Sequence, residues 1–429
     1  RYGAAANSNA HGGLNTFNPR APELYSPTGK PFPDGGGGVG DLGIFAGGEY
    51  NYSNIVEFIT ISSVGNGVDY GDLDGTRSAL SGAGGKTRGF TGGGQPGLSN
   101  VITYKDFRSK GNFSDFGDLT GVRDKLGSLN NDTRAVWGGG RTETSSNTNS
   151  NVMDYITMAS IGNATDFGNL SVARSSAGNS SSNIRIVFTG GEAPGASNVM
   201  DFVSFATAGN AADFGDLGAA QGNTTRGVGN NTKAVTTSGN QDADLLQTFT
   251  FATTGNASSF GNLSAARNGA PQGSGNGVRG TYAGGMAPNQ SNVIDFIEIT
   301  SNGNAVDFGD LSSARGESSA VDSKTRSVQF SGRSNAPSSG TIINVIDSFE
   351  ISSQGNAVNF GDMAVPTRNL SAGLSSLIKG YCAGGQTPSN TNRIEEVTIN
   401  SAGNSTDFGD LSAARQGITG NTSRHGGLS

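Results

Sequence analysis

The stretch NVIDFIEITSNGNAVDFGDLSSAR, residues 292–315, recurs in eight variants along the chain and decides its architecture. The glycine of the DFGD core marks each copy, and consecutive copies lie 46 to 52 residues apart. These glycines are Gly71, Gly117, Gly168, Gly215, Gly261, Gly309, Gly361 and Gly409. A period in this range is typical of solenoids, propellers and arrays built from one supersecondary unit. The sequence therefore predicts one large repeat domain.

Each repeat contains four segments with strand character. The first is apolar and ends in two glycines, as in RIVFTGG (185–191), and is called the GG strand below. The second, NVIDFIEI (292–299), is rich in β-branched and aromatic residues and is called the NVIDF strand. A Gly-Asn turn leads to the third, the DFGD strand, and a weaker segment of Ser, Gly and Ala follows. No segment has a helical pattern, so the sequence predicts an all-β fold.

The composition argues against several classes of protein. The chain has 429 residues, of which 70 are glycine, and its net charge is −7 with 15% charged residues. A nucleic-acid-binding protein normally presents a basic face, which this balance does not favour. No apolar run approaches the roughly 18 residues of a membrane-spanning helix, so we expect no membrane insertion. The single cysteine, Cys382, aligns with Phe45 and Phe188 of other repeats, which predicts a buried strand position.

The order of the segments resembles the kelch motif of β-propellers. The resemblance rests on a basic residue, the GG strand, a variable loop, the alternating NVIDF strand and an aromatic DFGD strand followed by x-x-R. Kelch repeats usually carry Trp in the last strand, where this chain has Phe or Tyr. The phrasing SNVIDFI followed by GNAxDFGDL is also similar to repeat-containing structural proteins of marine cyanophages. The resemblance implies an eight-bladed kelch-like β-propeller with four-stranded antiparallel blades.

The repeats also provide a test of ring closure. A basic residue stands five positions before the first glycine of the pair, as Arg88 and Arg134 do. In the first repeat this position is Leu42, and the missing basic residue appears near the other end of the chain as Arg424. We therefore expect the last weak strand, about residues 416–424, to complete the first blade and remove an exposed sheet edge. A ring of seven blades with one detached unit is the alternative.

Three segments follow from this organisation. Residues 1–41 lack the repeat and contain five of the twelve prolines, so we expect an extended N-terminal arm. Residues 42–424 form the expected propeller, and residues 425–429 form a short C-terminal tail. The apolar side chains that could dock the arm on a partner are those of Tyr2, Leu14, Phe17, Leu24, Tyr25 and Phe32.

Aromatic and charged residues recur as regularly as the glycines. We expect one aromatic residue from every DFGD strand to lie buried between adjacent blades, namely Tyr70, Phe116, Phe167, Phe214, Phe260, Phe308, Phe360 and Phe408. A buried guanidinium needs a carboxylate partner, so the arginines and aspartates predict a ladder of Asp–Arg pairs. The expected ladder consists of Arg77, Arg123, Arg174, Arg267, Arg315, Arg368 and Arg415 with Asp115, Asp166, Asp213, Asp307 and Asp407.

Calcium binding by the two carboxylates of DFGD is the alternative reading of these aspartates. Two carboxylates three positions apart could bind one ion only if the glycine between them formed a β-bulge. Three of the eight repeats lack one or both of these carboxylates. We therefore expect no metal and no cofactor.

No group of residues matches a catalytic site. The two histidines, His11 and His425, lie in the terminal segments, so a Ser–His–Asp arrangement within the repeats is excluded. The DFG triplet has no kinase catalytic loop beside it, and the glycine runs lack the lysine of a phosphate-binding loop. We therefore expect no enzymatic activity. The loop after the GG strand varies most, which makes Arg141, Thr142, Arg333 and Asn335 candidate recognition residues.

The leading interpretation is a non-enzymatic structural protein of a virion tail or extracellular appendage that assembles through its N-terminal arm. Its partners would be other copies of itself or other virion or appendage proteins, with no nucleic acid. One alternative is an adhesin that binds a cell-surface glycan or receptor through the variable-loop face. A second alternative is a propeller-based polysaccharide-active enzyme.

Overall fold

The structure, a computed structural model, confirms the all-β prediction: its described residues contain strands and turns and no helix. No segment among them could therefore cross a membrane as a helix. The described residues are 42–46, 53–77, 81–84, 88–95, 97–106, 111–131, 133–143, 148–181, 184–193, 195–221, 227–230, 232–237, 244–267, 272–275, 278–285, 289–323, 325–334, 341–368, 372–376, 378–416 and 418–422.

The strands of this part of the chain form eight four-stranded antiparallel sheets, numbered here in chain order. Sheet 1 contains β1 (Leu42–Ala46), β2 (Ile55–Thr60), β3 (Val68–Asp72) and β36 (Thr419–Thr422). Sheet 2 contains β4 (Ser81–Gly84), β5 (Arg88–Gly92), β6 (Ser99–Asp106) and β7 (Ser114–Arg123). Sheet 3 contains β8 (Gly127–Asn130), β9 (Arg134–Gly138), β10 (Val152–Thr157) and β11 (Thr165–Asn169). Sheet 4 contains β12 (Gly178–Ser181), β13 (Arg185–Thr189), β14 (Ser197–Ser204) and β15 (Ala212–Gln221).

The remaining sheets repeat the same plan. Sheet 5 contains β16 (Gly227–Gly229), β17 (Lys233–Thr237), β18 (Leu245–Thr250) and β19 (Ser258–Asn262). Sheet 6 contains β20 (Gln272–Gly275), β21 (Arg279–Ala283), β22 (Ser291–Glu298) and β23 (Val306–Arg315). Sheet 7 contains β24 (Ser319–Asp322), β25 (Arg326–Phe330), β28 (Val345–Glu350) and β29 (Val358–Asp362), with β26 (Arg333–Ser334) and β27 (Thr341–Ile342) pairing in its loop. Sheet 8 contains β30 (Ala372–Ser375), β31 (Lys379–Ala383), β34 (Arg393–Thr398) and β35 (Thr406–Asp410), with β32 (Gln386–Thr387) and β33 (Ser389–Asn390) in its loop.

Every sheet has the same strand order, with the weak strand of small residues at one edge and the DFGD strand at the other. The weak strand that follows each repeat pairs with the GG strand of the next repeat. Sheet 1 takes its weak strand from the far end of the chain, because β36 pairs with β1 and places Thr422 opposite Gly43. Leu42 lies in β1 opposite Thr60. Arg424, the tail 425–429, the arm 1–41 and its six apolar residues lie outside the described residues.

A β-bulge interrupts each DFGD strand just before its glycine. In sheet 6, Ile294 pairs with Gly309 while the next residue, Asp295, pairs with Asp307, so Phe308 is the additional residue. The same register shift occurs in all eight sheets. The glycine at this position has φ between 119° and 154°, a region that favours glycine. The repeated glycine is therefore required by the backbone.

The hydrophobic core consists of clusters between neighbouring sheets. Phe308 shows the arrangement, because its ring lies 5.8 Å from that of Phe296 in its own sheet and 5.2 Å from that of Phe349 in sheet 7. The eight aromatic residues of the DFGD strands are all buried, with at most 3% of their surface exposed. Cys382 is also buried in β31. Burial of these rings between sheets supplies the main apolar contact that joins one repeat to the next.

Candidate functional site

The arginine that follows each DFGD strand crosses into the neighbouring sheet. Arg315, at the end of β23 in sheet 6, is fully buried and donates to the carbonyl oxygens of Ser331 and Val345 at 3.4 and 3.0 Å. Its other terminal nitrogen donates to the carboxylate of Asp347 in sheet 7. One guanidinium thus joins the GG strand and the NVIDF strand of the next sheet. The planar fork of arginine suits this set of acceptors.

The structure corrects the predicted partners of these arginines. The carboxylate partner is the acidic residue of the NVIDF strand in the next sheet, and it is nearly inaccessible to solvent. The pairs are Arg123–Asp154, Arg174–Asp201, Arg267–Asp295, Arg315–Asp347 and Arg415–Glu57. A carboxylate in the interior of a sheet must be paired, whereas the DFGD aspartates lie at a solvated edge and need no partner.

The DFGD aspartates instead hold their own bulge. Asp307 is exposed, and its Oδ1 accepts a hydrogen bond of 2.9 Å from the backbone nitrogen of Gly309. Asp69, Asp115, Asp166 and Asp213 make the same contact with the glycine two positions on. Asp407 pairs with Arg393 of its own sheet at 3.1 Å. These residues therefore belong to local turn structure and not to the arginine ladder.

Two of the predicted ladder arginines differ from the others. Arg77 reaches sheet 2 through the carbonyl oxygens of Gly93 and Val101, but its carboxylate partner is the nearby Asp74. Arg368 does not occupy the ladder position, because the DFGD strand of sheet 7 is followed by one additional residue. Thr367 takes the buried position, and Arg368 pairs with Glu317 at 3.5 Å.

One interface replaces both members of the pair with neutral residues. Between sheets 4 and 5, Gln221 stands at the arginine position and donates to the carbonyl oxygen of Thr237 at 2.9 Å. Gln247 stands at the acidic position and accepts a hydrogen bond from the backbone nitrogen of Gly218. Both glutamines are buried. The chain thus contains its own example of an interface in which arginine and acid are lost together.

Burial dominates the electrostatics of the ladder. Desolvation raises the pKa of Asp154 and of Asp295, although the attraction of Arg123 and Arg267 opposes it. Desolvation likewise lowers the pKa of Arg123 below its ordinary value. A buried ion pair of this kind contributes little net stability compared with apolar packing, but leaving one member unpaired is costly. The ladder therefore penalises any arrangement of two sheets that separates an arginine from its carboxylate.

A second contact, which was not predicted, joins neighbouring sheets at the edge formed by the DFGD strand. The backbone nitrogen of Gly355 donates to the carbonyl oxygen of Phe308 at 2.7 Å, and the backbone nitrogen of Asp310 donates to Oδ1 of Asn356 at 3.0 Å. The nitrogen of Ala357 completes the set with a bond of 2.8 Å to the carbonyl oxygen of Asp310. These three bonds between a Gly-Asn turn and the preceding DFGD strand are called the clasp below.

The clasp occurs at all eight described interfaces, including the one between sheets 8 and 1. Its asparagines are Asn66, Asn112, Asn163, Asn210, Asn256, Asn304, Asn356 and Asn404. Because the clasp uses the backbone groups of the DFGD edge, that edge is occupied rather than open to another strand. The constant Gly-Asn dipeptide was the sequence signal for this contact, although its turn chemistry alone does not identify the partner.

Ion pairs hold two of the candidate recognition residues, Arg141 and Arg333. Arg141 makes a two-point contact with the buried Asp124, with Nε to Oδ1 at 3.1 Å and a terminal nitrogen to Oδ2 at 2.7 Å. Thr142 donates to the carbonyl oxygen of Thr148 within the same loop. Arg333 pairs with Glu317 at 3.3 Å. Asn335 lies outside the described residues. The charged groups of these loops therefore hold the loops in place instead of facing solvent.

Within the described part of the chain, His, Cys, Asp and Glu side chains do not gather in groups of three or more that could hold a metal ion. We expect that addition of a chelator such as EDTA leaves the melting temperature unchanged, measured by differential scanning calorimetry in calcium-containing buffer. A bound ion would stabilise the folded state by mass action, so its removal would lower the transition. A clear fall in melting temperature, restored by calcium but not by sodium, would contradict this expectation.

No protein-family model matches the chain, and no curated protein matches it. The functional argument therefore rests on the residues and contacts described above.

Proposed function

We propose that the eight sheets are the blades of one closed kelch-like propeller, and that the ring is a non-enzymatic structural subunit of a virion tail or extracellular appendage. The proposal has two parts, the closure of the ring and its use as a scaffold. Each rests on different contacts.

Closure is supported by the contacts between sheet 8 and sheet 1, which repeat those of the other interfaces. Arg415 pairs with Glu57, and the backbone nitrogen of Gly65 donates to the carbonyl oxygen of Phe408 at 2.9 Å. The hydroxyl of Tyr381 donates to the carbonyl oxygen of Ile61 at 2.9 Å. The pairing of β36 with β1 adds a backbone ladder to these side-chain contacts. A closed ring of four-stranded blades whose sheet edges are short and protected is the arrangement that propellers use.

The use as a scaffold is supported by one observation above all, the presence of the clasp at every interface. Eight copies of one backbone contact, together with aromatic packing, oppose sliding of one blade against the next. Loops on the other end of the blades are also held, through Asp124–Arg141 and Glu317–Arg333. Such stiffness suits a subunit that must keep its shape within a larger assembly.

The arm is the element through which we propose that copies assemble. Residues 1–41 include few apolar side chains, and ordering roughly 40 residues costs about 1–2 kcal/mol each in backbone entropy. A docking surface on a neighbouring subunit can offset that cost and couple many copies. The proposed partners are therefore other copies of this chain or other proteins of the same virion or appendage.

Deletion of residues 1–38 tests this assembly role. We expect the truncated protein to stay folded and monomeric by sedimentation, with the melting temperature of the full chain, and to lose the ability to form higher-order structures. Electron micrographs of the truncated protein should show rings of eight blades. The matched control is the full chain with the same tag and buffer. If the truncated protein assembles as the full chain does, the arm has no part in assembly, and images of seven blades would contradict the proposed ring.

A further inference from the structure

Sheet 5 differs from its two neighbours at two positions, one at the start of its GG strand and one in its NVIDF strand. In sheets 2, 3, 4 and 6 an arginine at the start of the GG strand lies 4.3 to 5.0 Å from an aromatic ring of the NVIDF strand. In sheet 4 these residues are Arg185 and Phe202. In sheet 5 they are Lys233 and Thr248. The guanidinium and the ring are thus both replaced by smaller groups at the same place.

The space that they leave is a cleft of about 240 Å³ between sheet 5 and the turn of sheet 6. Its floor is formed by Thr248, which is buried, and its rim includes the exposed side chains of Thr250, Thr253, Asn256 and Asn302. The cleft lies at the opposite end of the strands from the loop that follows the GG strand, because Lys233 begins β17 and pairs with Thr250 at the end of β18. Hydroxyl and amide groups therefore surround one ammonium group.

The charge of Lys233 has no carboxylate partner within the described part of the chain. Its Nζ donates to Oδ1 of Asn302 at 2.5 Å and lies 4.9 Å from the centre of the Phe260 ring. In sheet 6 the basic residue, Arg279, pairs with Glu298 directly across the strands, whereas Lys233 faces Thr250. Burial lowers the pKa of Lys233, which reflects the cost of holding this cation in a partly desolvated place.

We propose that this cleft binds an acidic monosaccharide unit, a hydroxylated ring that carries one carboxylate. The carboxylate pairs with Lys233 in a charge-assisted hydrogen bond, and the ring hydroxyls exchange hydrogen bonds with the threonines and asparagines of the rim. The volume is below the roughly 300–1,000 Å³ of sites for drug-sized ligands, which fits a single sugar unit. A phosphate group, with a charge of about −1.5 to −2, would call for more than one cation. The site is independent of the proposed structural role.

Titration of the full chain with glucuronate, glucose and inorganic phosphate tests the proposal, with binding followed by saturation-transfer NMR and calorimetry. We expect saturable binding of glucuronate that is roughly tenfold or more tighter than binding of glucose, because one charged hydrogen bond separates the two ligands. Lys233→Met should remove this difference. Equal binding of glucuronate and glucose, tighter binding of phosphate, or no saturable binding would overturn the proposal.

A second variant separates loss of the site from loss of the fold. The double change Lys233→Arg and Thr248→Phe introduces into sheet 5 the pair that sheet 4 has at Arg185 and Phe202. It should therefore fill the cleft and leave the melting temperature equal to or higher than that of the unchanged chain. We expect this variant to lose glucuronate binding altogether. The matched control is Arg185→Lys in sheet 4, which leaves the cleft intact and should bind as the unchanged chain does. Full binding by the filled variant would show that the ligand lies elsewhere.

Discussion

Gly309→Ala should lower the free energy of unfolding by roughly 3–6 kcal/mol, the largest effect that we expect from a single methyl group in this chain. The backbone φ of 140° at Gly309 is costly for alanine, at about 1–3 kcal/mol. A Cβ would also lie 2.5 Å from the backbone of Gly355, so the turn would have to move. Movement would break clasp bonds that contribute about 1 kcal/mol each. Chemical denaturation measured by circular dichroism provides the comparison.

Gly303→Ala is the matched control for this change. Gly303 also takes part in a clasp, through a bond of 2.6 Å from its backbone nitrogen to the carbonyl oxygen of Phe260. A Cβ there meets no atom within 4 Å, and φ lies outside the left-handed region. We expect a change within about 0.5 kcal/mol, as for an ordinary surface substitution. Equal effects of the two substitutions would mean that the clasp is not what constrains Gly309.

Arg315→Gln should destabilise the protein by about 3–5 kcal/mol, because it leaves the carboxylate of Asp347 buried without its cation. Arg315 and Asp347 are both fully buried, and the remaining donors to Asp347 are the backbone nitrogen and hydroxyl of Ser312 at 3.0 and 2.9 Å. Two neutral donors do not replace a guanidinium in a low-dielectric interior. The loss should appear as a lower denaturation midpoint with an unchanged slope.

Adding Asp347→Gln to Arg315→Gln should recover about 1–3 kcal/mol of that loss. The double variant reproduces the neutral pair that the chain itself uses at Gln221 and Gln247, where both side chains are buried. The single variant Asp347→Gln completes the cycle and leaves an unpaired guanidinium instead. Additive effects of the two substitutions would show that the two side chains do not act as a pair, contrary to the contact between them.

The period of the repeat and its strand content could be read from the sequence, because they depend on local patterns. β-branched and aromatic content predicted strand positions such as 292–299, which the structure places within one residue as β22, Ser291–Glu298. The bulge at Gly309 was considered only as a condition for calcium binding. In the structure the bulge serves the clasp, a contact between repeats that local patterns do not describe.

The partners of the arginines could not be predicted by spacing alone. Arg315 lies five residues from Asp310 in sequence, yet its partner Asp347 is 32 residues away in the next sheet. The informative signal was an acidic residue inside the apolar NVIDF strand of most repeats, a position where only a paired charge is tolerated. Arg368 was wrongly assigned to the ladder as the arginine that follows the DFGD strand of sheet 7. One extra residue before it shifts the register, so Thr367 occupies the buried position instead.

The pairing of β1 with β36 has a consequence for synthesis of the chain. β1 emerges from the ribosome roughly 370 residues before its partner strand, so at about 5–20 residues per second its edge stays unpaired for on the order of 20–75 s. During that interval the segment LGIFA presents a free strand edge that can pair with the same edge of another nascent chain. β36, the last described strand in chain order, is thus the one that ends this exposure, and yield in expression should depend on how soon it is translated.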